Sequence, residues 1–433
     1  MRRRKRRLGA VLFAVLWSLC ACTAETTPSV ATPSPQPVAS EATEKTPADE
    51  PLLSRMTLRQ KVGQLFMVRP DALDFSLPQT KIDDDKAEGV QSLTEEMRHT
   101  LEEYPVGGIC QFGKNIRDPQ QITDFNAALQ QASEIPLLIS VDEEGGRVAR
   151  LANQPVFDLP QYESALSVGN TGNDAAALEM GQTIGAYLKT FGFNMDFAPV
   201  MDVWSNPDNT VIGDRAYSGD PSRAANAAAW VAGGLADTGV IAVGKHFPGH
   251  GSTSIDSHVE LPVVDQSKED WLSGDAVPFW MAADSAVPAI MVGHILMPQL
   301  DPDRPASLSY TMVTELLRGE LCFDGVVCTD DLTMVALSET WGVGEAAVLA
   351  VEAGCDLLLV CHGADNLTAA RDALLEAVDS GRISPERLDE SVKRILSLKA
   401  EYGLTNDPVD TPDVDALNAR IGALTEQITE ASS

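Results

Sequence analysis

Short apolar runs rich in Val, Ile, Leu and Met recur along the chain between amphipathic stretches of helical period. That alternation of strand and helix signals builds a parallel sheet. The runs are Val62–Val68, Val106–Phe112, Pro136–Asp142, Phe193–Val203, Val240–Phe247, Ala289–Ile295, Gly325–Asp331 and Asp356–His362. Eight strands alternating with helices predict an α/β fold, a single (β/α)8 barrel of TIM type. Between them, Asp174–Gly192 and Pro221–Gly239 read as helices, each closing on a glycine suited to a helix stop.

Two stretches break the alternation. Residues 71–94 are polar and acidic and read as an insertion or long loop, with the leaving-group side of a site as one place for it. Residues 406–433 read as a short C-terminal extension. Neither is long enough for a second domain.

The N-terminus reads differently. Six basic residues, Arg2 to Arg7, precede an apolar run from Leu8 to Leu19 that is too short to span a bilayer comfortably. Residues 1–21 are therefore expected to be a signal peptide. The segment Leu19, Cys20, Ala21, Cys22 resembles the bacterial lipobox, in which the signal is cut before a cysteine that then carries lipid. Cys22 is the expected lipid anchor, placing the protein on the outer face of the bacterial cell membrane. The alternative is a secretory signal cut near Ala21 or Ala24, and export follows from either. Residues 22–51, mostly Thr, Pro, Ser, Ala and Glu, predict an unstructured tether. The barrel domain is then 52–405 and the extension 406–433.

Charge and cysteine content narrow the chemistry. The formal charge is −31, and removal of the six basic residues of 1–21 takes it to −37. So acidic a surface repels nucleic acid, and no nucleic-acid partner is expected. Cys110, Cys322, Cys328, Cys355 and Cys361 lie in apolar runs with no C-x-x-C pair, and read as small core residues rather than disulfides or metal ligands.

In a barrel of this kind the active site lies at the C-terminal ends of the strands. The third strand ends in Asp142 and runs into Glu143, Glu144 and the glycine pair Gly145, Gly146; by itself this reads as a solvated tight turn. The fifth ends in KHFPGHG, placing Lys245 and His246 at the rim, and continues to Asp256 and His258. His246, His250 and His258 raise the possibility of a metal site, but they lack the i, i+4 helical spacing of zincins and sit among Pro and Gly in a loop. An Asp-x-His pair on such a loop fits a dyad, in which the carboxylate orients the imidazole and favours its protonated form as a general acid. The seventh strand ends in Asp330 and Asp331. Alternation along a strand turns one of them to the barrel axis, with Asp330 as the inward residue and Asp331 as a candidate helix N-cap.

These residues form a pattern. The runs VDEEGGRVAR, FNMDFAPVMDV, VIGDRAYS, KHFPGHG followed by IDSH, and TDDLTM, in that order between Leu53 and Leu404, make the chain resemble the β-N-acetylhexosaminidase branch of glycoside hydrolase family 3. The resemblance implies a (β/α)8 barrel and hydrolysis with retention through a covalent glycosyl-enzyme. It implies Asp330 as nucleophile, His258 as acid/base, Asp256 as its partner, and Asp142, Arg150, Arg215, Lys245 and His246 as sugar ligands. No metal or other cofactor is implied. The substrate would be a β-linked N-acetylglucosamine-containing oligosaccharide or muropeptide. Members commonly carry Gln where this chain has Glu143, and Ser252 and Ser254 fall at variable positions.

Other readings are a family 3 β-glucosidase, a phosphorolytic family 3 enzyme, and a non-catalytic glycan-binding lipoprotein. β-Glucosidase relatives usually draw their acid/base from a second domain and lack the DSH loop. A pure binding protein has no use for a nucleophile.

Overall fold

In a computed structural model, the structure describes residues 51–431 apart from 83, 85, 254–260, 286, 339 and 410. Cys22, Asp256 and His258 lie outside the described residues.

All eight apolar runs supply strands: β1 Phe66–Val68, β2 Gly108–Cys110, β3 Leu138–Val141, β4 Met195–Asp196, β5 Ile241–Phe247, β6 Ala289–Val292, β7 Val326–Asp331 and β8 Leu357–Val360. Each pairs in parallel with its sequence neighbours, and β8 closes on β1, so the sheet is a closed barrel in chain order. Strands such as Leu138–Val141 and Leu357–Val360 are buried throughout, which is why the runs are continuously apolar rather than alternating. The fourth run gives only a two-residue ladder. Pro199, beyond it, has no N–H to donate, and the chain then makes a single bridge between Val200 and Lys245.

The surrounding helices are punctuated by their caps. Helix α1, Leu58–Gln64, is closed by a capping box between Thr57 and Gln60. Helices α2, Pro119–Ala132, and α4, Pro221–Asp237, both start with Asp then Pro, the aspartate accepting an amide of the first turn. Between these, α3 spans Asp174–Thr190, and α5 is Pro385–Glu401, capped by Ser384. Helices α3 and α4 meet at glycines: a Cβ at Gly181 would lie 2.1 Å from the Val231 carbonyl oxygen, and one at Gly234 2.3 Å from that of Leu178. Only glycine permits so close an approach.

One expectation changes, and two segments gain detail. The 71–94 stretch is mostly loop, and two of its acids face inward while Asp84 and Glu88 are exposed: Asp71 accepts from Asn115 at 2.7 Å and Asp74 from Thr94 at 3.0 Å, and both are buried. They staple the loop rather than solvate it. Residues after 406 include a helix, α6, Val414–Ala431, whose Leu417 and Ile421 join the core. Cys110, Cys328, Cys355 and Cys361 are buried as expected, whereas Cys322 is exposed, in a turn with φ of 59°. It follows a helical segment that ends at Glu320, which places it on the surface.

Candidate active site

A cavity of about 280 Å³ opens at the C-terminal mouth of the barrel, lined by Asp142 just after β3, Lys245 and His246 from β5, Asp330 and Asp331 from β7, and His362 after β8. Arg150 and Arg215 reach it from loops. A larger groove of about 570 Å³ lies at the opposite mouth, beside Pro288 and Gly325, which precede β6 and β7. The chemistry belongs to the smaller cavity, because the strand ends deliver their polar side chains there.

The run after β3 is not a solvated turn. It is a short hairpin, Glu143–Gly145 against Val148–Ala149, with φ of 80° at Gly145 and 64° at Gly146. Glu143 points into the protein and accepts the amides of Leu151 and Ala152 and the Tyr187 hydroxyl, each at 2.9 Å. It fastens the hairpin. Glu144 points into the cavity, where Arg215 grips it through two hydrogen bonds of 2.7 Å. Lys245 Nζ lies 2.7 Å from Asp142 Oδ1 and 2.6 Å from Glu144 Oε1. Arg150 sits 3.8 Å from the other Asp142 oxygen.

Electrostatics follow from these distances. Burial works to raise the pKa of Glu144, but Lys245 and Arg215 outweigh it and hold the carboxyl well below its ordinary range. Asp142 is likewise lowered against burial by Lys245 and Arg150. Lys245 is raised, because Asp142 and Glu144 overcome the desolvation that would neutralise it. The result is an array of fixed charges with directional donors and acceptors, suited to a ligand dense in hydroxyl groups. Below it, Asp196 accepts the Glu143 amide at 3.0 Å while burial pushes its carboxyl well up.

His246 is oriented by Asp202, whose Oδ2 lies 2.7 Å from Nδ1. Asp202 Oδ1 also accepts the backbone N–H of His250 at 2.6 Å, so one fully buried carboxylate ties together both ends of the KHFPGH turn. Despite burial, contact with His246 lowers its pKa, and Asp202 is an anion in place.

Both acids at the end of β7 line the cavity. Strict alternation fails because the β7–β8 register shifts between Leu357 and Leu359, a bulge that re-aims the last side chains. Asp330 is half-buried, and its Oδ1 accepts the N–H of Asp331 at 2.8 Å. Asp331 is not a helix N-cap. Its Oδ1 accepts the amides of Thr333 and Cys361, both at 3.1 Å, and its Oδ2 lies 2.8 Å from His362 Nδ1.

The structure thus gathers Asp142, Arg150, Arg215, Lys245, His246 and Asp330 around one cavity, with Asp256 and His258 outside the described residues. Sequence reasoning missed Glu144, Asp202 and His362. Each had a signal: Glu144 lies next but one to Asp142, Asp202 falls within the run FNMDFAPVMDV, and His362 closes the eighth apolar run. Among the described residues, no group of three His, Cys, Asp or Glu side chains is disposed to hold a metal ion.

A parallel barrel with carboxylates and cations converging at its C-terminal mouth defines the class as a (β/α)8 enzyme. The family model described as glycosyl hydrolase family 3 N terminal domain matches residues 57–398. A beta-hexosaminidase of Bordetella avium is 37% identical over 330 residues, covering 76% of this chain and 89% of that protein. A glycoside hydrolase family 3 beta-N-acetylglucosaminidase from a Paenibacillus species superposes with a TM-score of 0.74 at 40% identity, over 85% of this chain and 69% of that one. A family 3 glycosyl hydrolase from Mycobacterium smegmatis does so with a TM-score of 0.66 at 32% identity, over 80% of this chain and 98% of that one. The chain belongs to glycoside hydrolase family 3.

Proposed function

We propose that this protein is a retaining exo-β-N-acetylglucosaminidase that removes terminal non-reducing N-acetylhexosamine from cell-wall fragments or other glycans. The single observation that carries the reading is the seating of Asp330 at the barrel mouth, across one cavity from Lys245, Glu144 and Arg215. Relatives carrying the hexosaminidase name match most of the folded chain and support the choice of sugar.

In the cycle, Asp330 attacks the anomeric carbon as the bond to the leaving oxygen breaks. His258, partnered by Asp256, protonates that oxygen. Neutral His258 then takes a proton from the water that opens the glycosyl–Asp330 ester and regenerates the carboxylate. Lys245, His246, Asp142, Arg150 and Arg215 bind hydroxyls of the terminal sugar and hold it against Asp330.

The proposal extends to location. Lipidated Cys22 would hold the enzyme on the outer face of the membrane, with 22–51 as the tether, where muropeptide-type fragments are the favoured substrate and chitin oligomers the alternative. Among the described residues no helix is long and apolar enough to cross a membrane.

The test is hydrolysis of a chromogenic β-N-acetylglucosaminide beside the matching β-glucoside by wild type, His258→Ala and Asp330→Asn. Selective release from the acetamido sugar, lost in both variants while Asp330→Asn still binds N-acetylglucosamine, supports the reading. Preference for the glucoside, or indifference to either residue, overturns it.

A further inference from the structure

Asp331 is the most heavily fastened residue of the cavity. Its carbonyl oxygen lies 3.0 Å from His294 Nε2, and a carbonyl only accepts, so that nitrogen carries the hydrogen; His294 Nδ1 is 2.8 Å from Ser307 Oγ. His294 is buried just after β6. On the other side, His362 Nδ1 sits 2.8 Å from Asp331 Oδ2, and the amide of Cys361 donates to Oδ1. The residue is therefore held from β6 through its carbonyl and from beyond β8 through its carboxylate. What this leaves is its own N–H, which donates to Asp330 Oδ1 at 2.8 Å.

We propose that Asp331 is the positioning residue of the nucleophile: held between His294 and His362, its peptide N–H fixes one oxygen of Asp330 so that the other faces the anomeric carbon. The inference rests on the nucleophile reading above and adds what aims that nucleophile. When the second oxygen of Asp330 forms its bond to the anomeric carbon, the bond to the leaving group breaks and its electron pair departs with that group. Oδ1 becomes the carbonyl oxygen of the ester and keeps its donor, so the carboxyl plane need not rotate during the reaction. A misplacement of about 1 Å at a reacting atom costs on the order of 100-fold in rate. Two histidines, one on the carbonyl and one on the carboxylate of the residue that supplies the donor, guard against that error. The two adjacent acids thus divide the work, Asp330 reacting and Asp331 aiming.

The experiment uses the full chain and 2,4-dinitrophenyl β-N-acetylglucosaminide, whose leaving group needs no protonation, so the rate of dinitrophenolate release in a single turnover reads nucleophilic attack. The variants are His362→Phe, His294→Phe and His362→Gln, the last keeping an N–H donor for Asp331. Both Phe variants are expected to lose roughly 10- to 100-fold in that rate with KM within about twofold of wild type, and His362→Gln to recover most of the loss. An unchanged rate in both folded Phe variants overturns the inference, as does a loss that lies wholly in KM. If a Phe variant does not fold, His362→Gln is compared with His362→Asn, whose shorter amide does not reach Asp331, and equal rates overturn it.

Covalent labelling of wild type with 5-fluoro-N-acetylglucosaminyl fluoride and peptide mapping separates the two readings. A label on another residue overturns the nucleophile assignment and this inference with it. A label on Asp330 with unchanged rates in the variants overturns only this one.

Discussion

Lys245 Nζ lies 2.6 Å from Glu144 Oε1, and each side chain is only 2% exposed. The two residues come from different strand ends, and Arg215 closes the same carboxylate from a third segment. Removing one partner of so buried a pair leaves an uncompensated charge, which costs about 3–5 kcal/mol. Glu144→Ala is expected to lose stability of that order in urea unfolding. Glu144→Gln, which removes the same charge but keeps the volume and a hydrogen-bond acceptor, is expected to lose less stability than Glu144→Ala and about 100-fold in kcat/KM with the acetamido chromogen. Wild-type kcat/KM in Glu144→Gln would remove Glu144 from the site.

Asp202 should matter through His246. In Asp202→Asn the amide replaces the carboxylate that accepts His246 Nδ1 and the His250 N–H. The expected result is KM raised about 10-fold with a smaller fall in kcat, because His246 is a sugar ligand rather than the reacting group. A pure loss of kcat at wild-type KM would show that the pair acts on chemistry instead.

Lys399 provides a pH test of stability away from the cavity. Its Nζ donates to Gln64 Oε1 at 2.7 Å, and burial pushes its pKa down from 10.5 to about 7. Between pH 7 and 10.5 the unfolded chain holds this proton and the folded chain releases it, so stability rises with pH across that window and is flat for this group below it. Lys399→Met is expected to raise stability at pH 6 by about 1–4 kcal/mol and to abolish the rise between pH 7 and 10.5. Thermal unfolding at stepped pH is the measurement, and an unchanged slope in Lys399→Met counts against the assignment.

Gly146 tests the hairpin. Its φ of 64° strains any other residue, and a Cβ there would lie 2.9 Å from Ser164 Cα. Gly146→Ala is expected to cost about 1–3 kcal/mol and to depress activity by shifting Glu144 and Arg150. Retention of both stability and kcat/KM would mean the turn relaxes without moving the site.

The fold was legible because each strand is buried on both faces and therefore writes an unbroken apolar run, while helix ends carry Asp-Pro starts and glycine stops. Strand ends with charges marked the cavity, and the family pattern in VDEEGGRVAR and KHFPGHG pointed to Asp142, Arg150, Lys245 and His246. The inward roles of Asp71 and Asp74 were not legible, because acidity in a loop looks the same whether the carboxylates face water or accept hydrogen bonds inside.

What the sequence by itself determined is the eightfold order of strands and helices and the residue types at their ends, since burial and capping are local demands. Only the tertiary structure decided which charges meet. Glu144 and Arg215 are 71 residues apart, and His294 is 37 residues from the carbonyl it holds. Closure of the barrel brings those strand ends to one mouth, and the β7–β8 register shift sets the directions of Asp330 and Asp331. Neither is written in spacing along the chain, because a contact across a barrel depends on register between strands.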